Sequence, residues 1–118
     1  MMEFYRSFTT QEMRCPCCGA ERMDPGFMEK LQAARDVAGI PFRINSAYRC
    51  EKHNAIVGGV SGSSHLRGCA ADIHTATSVQ RLYIVDALCR AGFQRIGIAK
   101  NFIHVDNDNT KPRSMWLY

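Results

Sequence analysis

The sequence has no apolar run approaching the roughly 18 residues that a membrane span requires, so membrane insertion is not expected. Met1 to Arg14 alternate polar and aromatic residues and contain no apolar h-region, so a secretory signal peptide is not expected either. On that reading the protein stays in the cytoplasm until it is released or exported by a partner. A clustered run of Lys and Arg is missing as well: 15 basic and 11 acidic residues leave a net charge of +4 spread along the chain. Nucleic-acid binding needs a basic patch, so nucleic acid is not an expected partner. A mildly basic, solvated surface is instead compatible with an anionic polymer. Internal repeats, low-complexity tracts and linkers are absent, and 118 residues suffice for one core only. A single domain over 1–118, acting as a monomer, is the expectation.

Cysteine is what the chain has in excess, with six residues. Without an export signal an oxidised disulfide framework is not expected. Cys15, Cys17 and Cys18 crowd together in Cys-Pro-Cys-Cys-Gly, which reads as a turn. Cys15 and Cys18 have the spacing of a zinc knuckle or a redox pair. No second Cys-x-x-Cys exists, so only Cys17, Cys50 or a histidine could complete a four-ligand site. A local metal, a crosslink and plain reduced thiols all remain open. Cys69 and Cys89 read as buried thiols, since free cysteine behaves as a small hydrophobe.

The pattern of the remaining chain is α+β. Residues 1–23 look irregular, with Thr10 able to cap a short helical turn. A helix is expected over 24–38: Asp24 caps it, Pro25 fits its first turn, and Phe27, Met28, Leu31, Ala34, Val37 and Ala38 recur at helical spacing. Gly39 and Pro41 end it. Phe42 to Tyr48 alternates as a strand does and delivers Tyr48, Arg49 and Cys50 at its end. Residues 51–57 suit a short helix, and Gly58 to Ser64 a loop rich in turn residues. Cys69 to Thr75 reads as a buried strand. A helix over 77–91 follows, capped by Thr77 or Ser78, with Val79, Leu82, Tyr83, Val85 or Ala87, Leu88 and Cys89 on its apolar face. Gly92 stops it. Arg95–Ala99 and Phe102–Asp106 read as strands joined by a turn at Lys100-Asn101, and Met115 to Tyr118 as one more. The expected architecture is a small antiparallel sheet, from strands near 42, 70, 95, 103 and 115, with a metal site on one face and the two helices on the other.

Two clusters carry chemistry. In Ser63-Ser-His-Leu-Arg-Gly-Cys-Ala-Ala-Asp72, His65 and Asp72 stand seven residues apart, with Gly68 placed to turn the chain back and Ala70 and Ala71 small enough for close packing. An aspartate in an apolar strand is costly to bury unpaired, and a cation beside it offsets that cost. The bland alternative pairs Asp72 with an arginine and leaves His65 in a loop. In Phe-Ile-His104-Val-Asp106, residues two apart face the same way. His104 can therefore bind a metal while Asp106 reaches either a metal-bound water or a ligand histidine. Two histidines and an aspartate with one open position is the usual holder of a catalytic zinc.

Together these residues resemble the zinc D-Ala-D-Ala carboxypeptidases, the M15 type of metallopeptidase with its small phage and prophage members, whose metal scaffold the hedgehog signalling domain shares. The resemblance rests on Ser63-x-His65-x-x-Gly68-x-Ala70-x-Asp72 and His104-Val-Asp106. Asn45-Ser-Ala-Tyr-Arg49, Asn54, Val57-Gly-Gly-Val60 and Trp116 extend it over nearly the whole chain. It implies Zn2+ held by His65, Asp72 and His104, with Arg49 and Ser63 on the substrate, Arg49 gripping a carboxylate or a developing oxyanion. A structural salt bridge from Arg49 to Asp72 or Asp106 is the alternative. The implied substrate is a peptidoglycan stem peptide, cut next to a D-amino acid by carboxypeptidase or endopeptidase action. The chain departs from the family in one place. Many relatives carry a Glu or Asp three residues before the last histidine, or a histidine two before it, where this chain has Asn101 and Phe102. Asp106 is then the nearest carboxylate on the correct face and the nominee for general base. An inactive zinc-containing module that binds cell wall or a partner is the competing expectation.

Overall fold

The computed structural model describes residues 3–118; of the irregular segment expected over 1–23, Met1 and Met2 lie outside the described residues. Two layers make the fold. One is a five-stranded sheet of β3 (Ile44–Ser46), β4 (Ala70–His74), β5 (Arg95–Ile98), β6 (Phe102–Asp106) and β7 (Ser114–Leu117), in the order β3-β4-β6-β5-β7. The other is a pair of helices, α2 (Pro25–Ala38) and α4 (Ser78–Arg90), which pack on each other and on one sheet face. A hairpin of β1 (Glu3–Tyr5) and β2 (Phe8–Thr9), a single helical turn α1 (Thr10–Met13), and a short helix α3 (Glu51–Ile56) complete it. None of the described helices is long and apolar enough to cross a membrane.

The strand period sorts the sheet into a dry face and a polar face. Ala71, Ile73, Ile96, Ile103 and Val105 belong to the core, against Phe27, Met28, Leu31 and Ala34 of α2 and Ile84, Ala87 and Leu88 of α4. Phe27 meets Phe93 edge to face at 5.6 Å. The alternate residues point the other way and fall into rows, because register places them side by side. Ser46 pairs with Asp72, Asp72 with His104, His104 with Gly97, and Gly97 with Trp116. The adjacent row on that face joins Ala70, Asp106, Arg95 and Ser114.

Caps set the helix limits. Asp24 accepts the Phe27 N–H at 2.9 Å, Pro25 opens α2, and Gly39 closes it with φ 68°. Thr77 caps α4 by accepting the Gln80 N–H at 3.1 Å.

Several expectations need correction. The sheet is mixed rather than antiparallel, because β7 runs parallel to β5. Both edges of β6 are taken, by β4 and β5, and the returning chain pairs on the outer edge of β5. There it runs in the same direction as that strand. The N-terminal segment is a hairpin and a helical turn, capped by Thr9 rather than Thr10; Thr9 and Glu12 satisfy each other's backbone N–H groups in a capping box. The α4 face is only partly the expected one: Ala87 and Leu88 turn inward as expected, joined by Ile84, whereas Val79, Leu82, Tyr83 and Cys89 are exposed. Val37 is likewise exposed, whereas Cys69 is buried as expected.

Gly97 shows how tightly the polar row is drawn. A Cβ there would stand 2.6 Å from Trp116 Nε1 and 2.8 Å from Tyr118 Cε2, so the strand passes beneath the aromatic pair only as glycine. Gly97→Ala should displace Trp116 at an overpacking cost of about 1–3 kcal/mol. Trp116 is the only tryptophan, so intrinsic fluorescence reports this directly: a red-shifted emission and a lowered melting temperature are expected. An unchanged spectrum would contradict the packing described.

Candidate metal centre

Asp72 and His104 reach the polar face from opposed positions on β4 and β6. His65 arrives differently, from the 3₁₀ turn Ser64–Arg67. Ser63 opens that turn by accepting the His65 N–H at 3.3 Å, and Gly68 closes it with φ 70°. A side chain at Gly68 would run into the Arg22 carbonyl, so glycine is required there for both conformation and space. The result is convergent. His65 Nε2 lies 3.3 Å and His104 Nδ1 2.9 Å from the same oxygen, Asp72 Oδ1. One ligand atom from each of the three residues falls within 4.8 Å of the others.

Hydrogen bonds orient both rings. Ala47 O lies 2.7 Å from His65 Nδ1, and a carbonyl can only accept, so Nδ1 carries a hydrogen and Nε2 is the nitrogen turned toward Asp72. Asp106 Oδ2 lies 2.7 Å from His104 Nε2, which leaves Nδ1 as the nitrogen turned toward Asp72. His65 Nε2 stands 3.3 Å from the carboxylate oxygen, and that contact needs a proton or a cation between the two atoms. Two imidazoles and a carboxylate, with outer nitrogens anchored to a carbonyl and a carboxylate, form a donor set that fits zinc.

The electrostatics agree. Burial disfavours an ionised Asp72, but hydrogen bonds from His104 and His65 outweigh it and hold the carboxyl well below its usual range. Burial would lower the His104 pKa, yet Asp106 and Asp72 on either side raise it. Without a metal, an imidazolium can thus bridge two carboxylates. A cation held at His104 Nδ1 would take the place of its proton, so metal uptake would release a proton at this ring.

The other expected site residues surround this centre. Asp106 is 1% exposed and fully engaged: Oδ2 holds His104, while Oδ1 accepts from Arg95 Nε at 2.7 Å and from the Asp108 N–H at 3.1 Å. Of the two roles open to it, reaching a ligand histidine is the one this geometry displays. Arg49 donates from Nε to Ser46 at 3.0 Å and from one terminal nitrogen to Asn54 Oδ1 at 3.0 Å. Its other terminal nitrogen meets Asp72 Oδ2 at 3.4 Å. Gly59 must be glycine here, since a Cβ would overlap the Asn54 amide. Ser63 is buried beneath the 3₁₀ turn.

A cleft of about 500 Å³ opens over the three donors, with Arg49 and Gly59 on one side and Phe102, Trp116 and Tyr118 on the other. Trp116 stacks obliquely near His104, with centroids 5.6 Å apart, and Arg95 lies 4.9 Å over the Trp116 ring. Arg95 was not anticipated. The available signal was an arginine opening an otherwise apolar strand beside an aspartate-bearing one. Lys111, at the rim, reaches Gly62 O and Ser64 Oγ and was also missed. It sits in an irregular segment that no periodicity marks.

A family model described as Peptidase M15 matches residues 6–106, most of the chain. The chain therefore belongs to the M15 peptidase family. No curated protein matches the chain significantly.

If Asp106 orients His104, Asp106→Asn should weaken zinc binding by about 10–100-fold, as measured by competition against a chelator of known affinity. Unchanged affinity would remove Asp106 from the support of the metal.

Proposed function

We propose that this M15 peptidase is a zinc-dependent enzyme that hydrolyses peptidoglycan stem-peptide amide bonds next to a D-amino acid. The observation that carries the reading is the convergence of His65 Nε2, Asp72 Oδ1 and His104 Nδ1 on one point at the floor of an open cleft. Zinc in such a site supplies Lewis acidity and a water made acidic enough to act as a nucleophile near neutral pH.

The chain's own residues do the positioning. Ala47 O and Asp106 lock the ring orientations, so the donors need no rearrangement when the ion binds. Arg49 has five N–H donors, and three are directed at Ser46, Asn54 and Asp72. Two remain for a substrate carboxylate or for an amide oxygen that gains negative charge. Its side chain is 12% exposed, so this pairing forms in a partly dry environment where it is strong. Phe102, Trp116 and Tyr118 supply flat apolar area opposite, suited to the peptide backbone and methyl groups of short stem peptides. Burial raises the Tyr118 pKa, which keeps its hydroxyl protonated and able to donate at the rim.

A second reading is favoured by one observation. Asp72 and Asp106 are the carboxylates lining the cleft, and both are engaged by neighbouring side chains. A proton acceptor must approach the attacking water to within hydrogen-bond reach. If neither carboxylate is released for that task, the domain holds zinc and binds cell wall without cutting it.

Incubation of purified peptidoglycan with the zinc-loaded protein, followed by mass analysis of soluble fragments, separates the two. The proposal expects peptide fragments that a chelator abolishes and zinc restores. Arg49→Ala should lower kcat/KM about 100-fold or more, and Arg49→Lys should not rescue it, because an ammonium lacks the planar fork. Binding to cell wall without any fragment release would establish the second reading instead.

A further inference from the structure

The cysteine cluster lies apart from the His-Asp centre and shares no residue with it. We propose that Cys15, Cys18 and Cys50, completed by Cys17, hold a second, structural zinc ion. The sulfurs of Cys15, Cys18 and Cys50 lie within 4.8 Å of one another, although Cys50 is 35 residues from Cys15. The Cys15 and Cys50 sulfurs are 3.6 Å apart. A disulfide requires about 2.05 Å. Two corners of a tetrahedron built on Zn–S bonds of about 2.3 Å stand about 3.8 Å apart. The Cys18 thiol belongs to this group, and Cys17 stands beside it in the same turn.

The backbone around these sulfurs is arranged for anionic ligands. Residues 15–19 form a tight turn in which the Gly19 N–H donates to Cys15 O at 2.8 Å, with Gly19 at φ 76°. This turn brings the Cys18 sulfur beside the Cys15 sulfur. The Cys50 N–H donates to the Cys15 sulfur at 3.5 Å, and the His53 N–H to the Cys50 sulfur at 3.4 Å. Amide donors of this kind stabilise coordinated thiolates. An all-thiolate set selects a soft or borderline ion, and tetrahedral sulfur suits zinc.

The position gives the ion a purpose. Cys50 follows Arg49 directly and caps α3, which carries the Asn54 that grips Arg49. The Tyr48 N–H donates to Met13 O at 3.1 Å on the same seam. A metal joining the 15–18 turn to Cys50 therefore fastens the N-terminal segment to the chain that presents Arg49 to the cleft.

Cobalt substitution of the full chain, purified reduced and without chelator, tests this independently of peptidase activity. The His-Asp centre contains no sulfur, so thiolate-to-cobalt charge-transfer absorption in the near ultraviolet can come only from the cysteines. The expected result is two metals per chain with that absorption. A His65→Ala/Asp72→Ala variant should fall to one metal and keep the absorption, and Cys50→Ser should lose it. One metal per folded wild-type chain without thiolate absorption would overturn the proposal. So would a Cys15–Cys50 disulfide found by peptide mapping of protein purified without oxidant. Loss of the other metal alone would count against the His-Asp centre and leave this one standing.

Discussion

One carboxylate oxygen, Asp72 Oδ1, faces nitrogens of two histidines, His65 Nε2 and His104 Nδ1, whose other ring nitrogens are tied to Ala47 O and Asp106. That contact is unfavourable by itself and becomes favourable only with positive charge in the middle. Much of the polar face serves to maintain it. Ala47 O holds one ring, Asp106 the other, and Arg49 steadies the second carboxylate oxygen. Arg95 in turn anchors Asp106. Each partner is itself held, so the donors stand ready for an ion at little reorganisation cost.

The sheet makes this arrangement affordable in a chain of 118 residues. Register places Asp72, His104, Gly97 and Trp116 in one row, while their neighbours Ile73, Ile103 and Val105 pack against α2 and α4 on the reverse side. The same strands thus supply hydrophobic stabilisation of the domain and two of the three converging side chains, Asp72 and His104, while His65 comes from the 3₁₀ turn. Glycine appears where the row leaves no room, at 97 under Trp116 and at 59 against Asn54.

Much of this was legible in residue order. Helix α2 follows from Asp24, Pro25, the spacing of Phe27, Met28 and Leu31, and Gly39, all of them local signals. His65, Asp72 and His104 could be nominated because imidazoles and an aspartate stand out in small or apolar surroundings. What could not be read depends on neighbours distant in sequence. The parallel pairing of β7 depends on its taking the outer edge of β5. The inward face of α4 depends on where the sheet lies, so Val79 and Leu82 fit the helical spacing yet face solvent, and Ile84 takes an inward position. The full engagement of Asp106 needs Arg95, which no spacing rule connects to it, beside the Asp108 amide two residues on. Likewise, Cys15 and Cys18 left Cys17, Cys50 or a histidine open as a partner, and folding is what brings Cys50 to them.

The most direct test of the account is anomalous X-ray diffraction at the zinc absorption edge from crystals of the zinc-loaded protein. The account predicts a peak bonded to His65 Nε2, His104 Nδ1 and the Asp72 carboxylate, with His104 Nε2 still on Asp106. Absence of a peak among those three side chains, or zinc bonded to the opposite nitrogen of either ring, would contradict it.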